Sequence, residues 1–238
     1  MVLRAASLAT MLTMLASPTV AGDRAIIDII GFSDDGRYFA FEEYGTQDGS
    51  GFPYSNIYVI DVINDDWVGS PTRVRIDEEN AKLIDARVEA RTEAGPLLVE
   101  NGINYPADIL AMQADGEGGD GLGLTFSAPG YGPGEIGDVS YSLKLSMFPA
   151  DSPQPCQDYM GEKAKGFELT LSDGDTTTSL HKDADAIPGS RGCPWTYRIY
   201  AVAAPQYFDP KQGVAIISVY PHGFEGPDRR FIAVPLSN

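Results

Sequence analysis

The chain has 238 residues, with 17 Lys and Arg against 34 Asp and Glu, a formal net charge of −17. Binding phosphate requires clustered cations, so this balance excludes nucleic acid and anionic lipid surfaces as partners. The acidity itself reads as solubility, not as a cation site.

Met1-Val2-Leu3-Arg4 precedes an apolar run from Ala5 to Ala16, and the small residues Thr19-Val20-Ala21 stand just before Gly22. A positive start, a short apolar stretch and small residues ahead of the junction are the parts of a cleavable export signal. The run falls short of the ~20 residues that span a bilayer. Residues 1–21 are therefore read as a signal peptide. Residues 22–238 are read as one β-rich domain, secreted or periplasmic, with no membrane span in the mature chain.

Gly and Pro are spread along the whole chain and punctuate many short strands. Strands are expected near Arg24–Phe32, Arg37–Tyr44, Ser55–Ile63 and Thr72–Ile76, then Asp108–Gln113, Gly121–Phe126, Val139–Phe148 and Gly166–Leu171. The last group is Thr176–His181, Thr196–Ala203, Val214–Tyr220 and Phe231–Val234. Tyr141 to Met147 alternates apolar and polar most cleanly, as a strand with one buried face should.

One helix interrupts this pattern over about residues 78–94. Asp77 is its expected N-cap, Glu78 and Glu79 occupy the first turn, and Gly95-Pro96 ends it. Ala81, Ile84 and Val88 form the expected apolar stripe, with Lys82, Arg87, Glu89 and Arg91 facing elsewhere. Glu78 and Lys82 are spaced as an i,i+4 pair. Leu97-Leu98-Val99 adds a short second turn stopping at Gly102.

The segment Gly31–Val62 reads aromatic, Asp-Asp-Gly turn, strand, Gly-rich loop, strand. Phe208–Val234 repeats that order with an Asp-Pro turn. Such self-similarity is how propeller blades announce themselves, but the middle of the chain does not repeat. The fold class is mainly β, a propeller-like or sandwich arrangement of antiparallel sheets with the one helical insertion. Each end of the chain is expected to form an antiparallel hairpin.

Three stretches carry a resemblance. Phe32-Ser-Asp-Asp-Gly-Arg-Tyr-Phe-Ala-Phe-Glu-Glu-Tyr-Gly45, Gly49–Asp61 and Gly223–Phe231 resemble a bacterial family of predicted secreted proteins with a domain of unknown function. The likeness spans most of the mature chain and implies export, but no catalytic residues. Over Gly31–Val62 alone the strands also resemble the WD40-like repeats of TolB-type periplasmic propellers.

Cys156 and Cys193 are the two cysteines. In an oxidising compartment an isolated pair flanked by prolines reads as a structural disulfide, since a redox pair normally shows C-x-x-C spacing. His181 and His222 lie in no metalloprotease motif, and no serine sits in a G-x-S-x-G elbow. His181 is expected on a solvated hairpin and His222 in a turn. Glu42 and Glu43 are adjacent strand residues, so they point to opposite faces and cannot form a dyad without a bulge. Asp115-Gly-Glu117-Gly-Gly-Asp120 and Asp173-Gly-Asp175 lack the spacing of a calcium loop; no metal and no cofactor are assigned. Aromatics are frequent in loops: Phe52, Tyr54, Tyr131, Tyr159, Trp195 and Tyr207.

The candidate binding surface joins the loop after Tyr44, with Asp48, Phe52 and Tyr54, to the matching loop with His222, Phe224, Glu225 and Asp228, and with Arg229 or Arg230. Its expected partner is a polar ligand or an envelope protein. The functional reading is a non-catalytic binding or envelope-interaction module. The alternative is an extracytoplasmic, carboxylate-dependent hydrolase acting on a glycan; a third is a structural accessory to a larger envelope complex.

Overall fold

A computed structural model describes residues 22–78, 80–174 and 176–237. The export signal, Glu79 and Asp175 lie outside the described residues. Strands β1 (Ile26–Ser33), β2 (Tyr38–Thr46) and β3 (Pro53–Asp61) form an antiparallel meander, and the short β4 (Asp66–Trp67) and β5 (Thr72–Arg75) both pair with β3. After helix α1 (Leu83–Glu100), β6 (Ile103–Tyr105) returns to β1 and completes the first sheet. The second sheet is the meander β8 (Gly123–Pro129), β9 (Ile136–Ala150), β10 (Ala164–Ser172) and β11 (Thr177–Lys182), with a short helix α2 (Cys156–Met160) between β9 and β10. The third sheet has the order β14-β13-β12-β7, from β7 (Ala107–Met112), β12 (Pro194–Pro205), β13 (Val214–Pro221) and β14 (Arg230–Pro235).

Every strand expected from the sequence is present. The additions, β4, β6 and α2, are too short to leave a periodic signature.

Alternation of side chains decides the layering. In β13, Val214 and Ile216 pack on Phe32, Phe39 and Phe41 of the first sheet. Ala215, Ile217 and Val219 pack on Leu143, Leu145, Phe167 and Leu169 of the second. The third sheet is thus the middle layer, which is why β13 is a continuous apolar run while β9, facing a core on one side only, alternates. The stack is sandwich-like, built of three face-to-face sheets; among the described residues no barrel and no ring of blades closes.

Both end hairpins are antiparallel, β2 with β3 and β13 with β14, and they lie in adjacent packed sheets. The first turn is tied internally. Gly36 N–H donates to Ser33 C=O at 2.9 Å with Gly36 at φ +71°, a conformation glycine adopts without cost, and Ser33 Oγ donates to Asp35 Oδ1 at 2.6 Å. The segment before β1 pairs with the residue before β14: Ala25 N–H donates to Arg229 C=O and Arg229 N–H to Asp23 C=O.

The helix differs from expectation at both ends and around its circumference. It begins at Leu83, because Asp77 is held by Arg75 instead of capping, while Asp85 accepts the Lys82 N–H at 3.3 Å. The expected Glu78–Lys82 pair therefore lies ahead of the helix. The last turn runs through Gly95-Pro96, although Pro96 removes a helical donor. Leu98 packs on the sheet and Asn101 Nδ2 donates to Leu97 C=O at 2.8 Å, holding that turn in place. The buried stripe is Ala86, Ala90 and Ala94 against Ile57 and Val74, whereas Ile84 and Val88 are exposed. Alanine allows close approach of helix and sheet, and Arg87 and Arg91 beside it reach across into the sheet.

The disulfide joins Cys156 and Cys193 with Cα atoms 5.3 Å apart. It fastens α2 to the start of β12 over a small core of Ala150, Ala164 and Ile187.

Candidate binding site

The double glutamate of β2 organises the polar interior. Glu42 points toward α1 and is 0 % exposed. Arg87 donates through Nε to Oε1 and Nη2 to Oε2, at 2.8 and 2.9 Å, and Arg91 through Nε and Nη2 to Oε2, at 2.9 and 2.7 Å. Both arginines also reach Asp28, and the Arg87 guanidinium lies 3.8 Å from the centre of the Tyr44 ring. Burial pushes the Glu42 carboxyl up, but the bonds from Arg87, Arg91 and Ser55 outweigh it and hold it below the usual carboxylate range.

Glu43 points the other way, into the seam with the third sheet. There it accepts from Phe231 N–H at 2.8 Å and Asn56 Nδ2 at 3.3 Å, with Arg230 3.9 Å away. Burial dominates at this site, and its carboxyl is raised. As expected from strand geometry, the two glutamates share no cleft. Glu42 is engaged by two arginines, Glu43 by a backbone N–H, Asn56 and the nearby Arg230.

Next to Glu43 the segment around Asp23 docks. Asp23 accepts from Tyr54 Oη at 2.8 Å and from Arg230 Nη2 at 2.6 Å, and its own N–H donates to Asp228 Oδ1 at 2.9 Å. Burial raises the Asp228 carboxyl, the Asp23 N–H and Arg230 oppose this, and the charges of Asp23 and Asp48 add to the rise. Asp48 thus sits within electrostatic reach of Asp228. Asp23 bridges Tyr54, which follows the first loop, to Asp228 of the second.

Their residues divide into two groups. Tyr54 is buried and bonded to Asp23, and Arg229 donates to Ala25 C=O through Nε and Nη2 and to Asp115 through Nη1. Both are internal ties: Asp23 takes the Tyr54 hydroxyl, Ala25 takes Nε and Nη2 of Arg229, and Asp115 takes its Nη1. Arg230 is spent in the same way. Asp115, which also pairs with Arg24 and Tyr220, is occupied by cationic and hydroxyl partners and is not a free calcium ligand. Phe52 is half-buried, while Asp48, His222, Phe224 and Glu225 are exposed.

The second loop is rigid. His222 N–H donates to Cys193 C=O at 2.8 Å and Asp228 N–H to Pro221 C=O at 2.9 Å. A Cβ on Gly223 would lie 2.4 Å from Asp228 Oδ1, so only glycine permits this fold of the loop. At its tip Phe224 is 96 % exposed. His222 stacks on Tyr159 at 6.2 Å and lies 6.1 Å from Trp195, ring centre to ring centre. Sequence reasoning named Tyr159 and Trp195 only as loop aromatics; the disulfide between their segments brings them to His222.

His181 departs from expectation. It is half-buried, stacked on Phe167 at 4.7 Å and 3.1 Å from Asp183 Oδ1 through Nε2, because Arg191 closes over Asp183 at 2.6 Å and seals the hairpin against the core.

These features define a mainly-β protein whose disulfide suits an oxidising compartment, with its buried carboxylates paired and one hydrogen-bonded loop presenting an aromatic side chain to solvent. A family model described as "Predicted secreted protein (DUF2259)" matches residues 40–237, and the chain belongs to this family. No curated protein and no solved structure matches the chain. Among the described residues no helix is long and apolar enough to cross a membrane.

Proposed function

We propose that residues 22–238, released from the signal peptide, act as a non-catalytic binding module whose contact with an envelope protein is centred on Phe224. The observation that carries this reading is the combination of near-complete exposure with rigidity: Phe224 stands 96 % exposed on a loop locked at both ends. An apolar side chain carried on a backbone that is already tied adds little backbone ordering cost on binding, and such anchors dominate interface energies. Asp48, Glu225 and Asp228 belong to the same pair of loops and are acidic, so the complementary surface is an apolar pocket with a basic rim. The aromatic group of Tyr159, Trp195 and His222 continues the contact surface beside the disulfide.

The experiment is site-specific photocrosslinking in the producing cell. A photoreactive residue at position 224 is expected to give discrete protein adducts. The same residue at Ile136, which is also apolar and exposed, gives none. Identical labelling at both positions, or none at 224, overturns the reading.

A further inference from the structure

At the other end of the central sheet lies a cleft of about 490 Å³ between the β8–β9 loop, β7 and the β12–β13 connection. Pro194 of β12 pairs with Pro221, whereas Ala203 pairs with Val214, so the Phe224 loop and this cleft occupy opposite ends of the same strands. The volume falls within the range of ~300–1,000 Å³ typical of small-molecule sites.

Two tyrosines stand at its mouth. Tyr131 is fully exposed at the tip of a loop held in shape by Glu135, whose carboxylate accepts the Gly132 N–H at 2.9 Å and whose C=O accepts the Gly130 N–H at 2.8 Å. Tyr207 is 89 % exposed and carries a backbone φ of +66°. It occupies the third position of a turn closed by Phe208 N–H to Pro205 C=O at 3.2 Å, a place where glycine is the ordinary choice. A bulky residue with positive φ gains nothing for the fold if its ring then points into solvent. Strain of this kind points to a task for the side chain.

The lining selects the ligand. Phe208 gives an apolar wall, and Pro129, Pro205 and Pro210 add surface without any N–H donor. Asp108, the one carboxylate on the lining, has no hydrogen-bond or ion-pair partner among the described residues. The site therefore offers aromatic faces, one open carboxylate acceptor and two tyrosine hydroxyls that can donate or accept. A proline-rich peptide brings few donors for Asp108 to accept. A single ammonium group would satisfy Asp108 but fill a small part of the space. A sugar supplies hydroxyl donors on its edge and C–H groups on its face.

We propose that this cleft binds a neutral saccharide of one or two rings, stacked on Tyr131 and Tyr207 with a hydroxyl donated to Asp108. The test is titration of the exported protein with cellobiose, maltose and N,N′-diacetylchitobiose by calorimetry and saturation-transfer NMR, with choline and putrescine as cationic comparisons. At least one disaccharide is expected to bind, and Tyr131→Ala and Tyr207→Ala each to weaken it about tenfold. Tyr207→Gly is expected to lose binding while unfolding at no lower temperature than the parent, a pairing that a merely structural tyrosine would not give. Phe224→Ser, at the opposite end, keeps saccharide binding, so the two sites fail independently. Binding of choline or putrescine with none of the saccharides overturns the proposal. So does saccharide affinity unchanged in Tyr131→Ala/Tyr207→Gly, or no saccharide bound at all.

Discussion

Replacing Glu42 by Gln removes one charge from a fully buried site and leaves the geometry nearly intact, which makes it a clean probe of how α1 is held. Glu42 receives four hydrogen bonds from Arg87 and Arg91 and another from Ser55. Breaking a buried ion pair by removing one partner costs about 3–5 kcal/mol. The arginine side chains are 26 % and 38 % exposed and keep part of their hydration, which favours the lower end, about 3 kcal/mol. With a urea slope of about 2–3 kcal/mol per molar for a domain of this size, the unfolding midpoint should fall by roughly 1 M. The sign with pH follows from the depressed carboxyl. Its contribution is present above the unfolded value of about 4.3 and is lost as pH falls through the lower folded value. The deficit of Glu42→Gln should therefore be large at pH 7 and shrink toward pH 3. Glu43 gives the opposite sign. A raised carboxyl contributes stability that is present below the unfolded value and lost as pH rises through the folded one, so Glu43→Gln should match or exceed the parent at pH 7. Urea unfolding of both variants at the two pH values is the assay. Equal deficits for the two substitutions, or a Glu42→Gln deficit that does not change with pH, would refute the account of the paired glutamates.

Cys193→Ser removes a crosslink that spans 37 residues, and chain entropy predicts a loss of about 4 kcal/mol, read as a lower unfolding midpoint with an unchanged far-ultraviolet spectrum; a variant as stable as the parent would contradict it. Export should leave Gly22 as the first residue, because the Asp23–Tyr54–Arg230 network receives the chain just beyond it. Intact-mass measurement of the envelope fraction checks this, and a mass carrying residues 1–21 would reject it.

Strand positions were legible in the sequence because each strand must alternate or run apolar to suit its layer. The alternation of Tyr141–Met147 marked a strand with one buried face, while the structure showed the continuous Val214–Tyr220 to be covered on both faces. The opposed directions of Glu42 and Glu43 followed from the pleat alone, and the cysteine pair from parity and compartment. The helix was misplaced because local signals compete with tertiary ones. Asp77 is a good N-cap in isolation, but Arg75 claims it, and the pull of Glu42 and Asp28 on Arg87 and Arg91 turns the Ala86, Ala90 and Ala94 face inward in place of Ile84 and Val88. Of the candidate site, the sequence singled out two loops through their shared layout. It could not tell that Tyr54 and Arg229 are consumed by internal partners while Phe224 stays in solvent. Periodicity and composition are properties of neighbours along the chain, so they determined elements, export and crosslink. Which sheet lies in the middle, which charges find partners and where a cleft opens depend on residues as far apart as Asp23 and Arg230, and only the tertiary structure decided them.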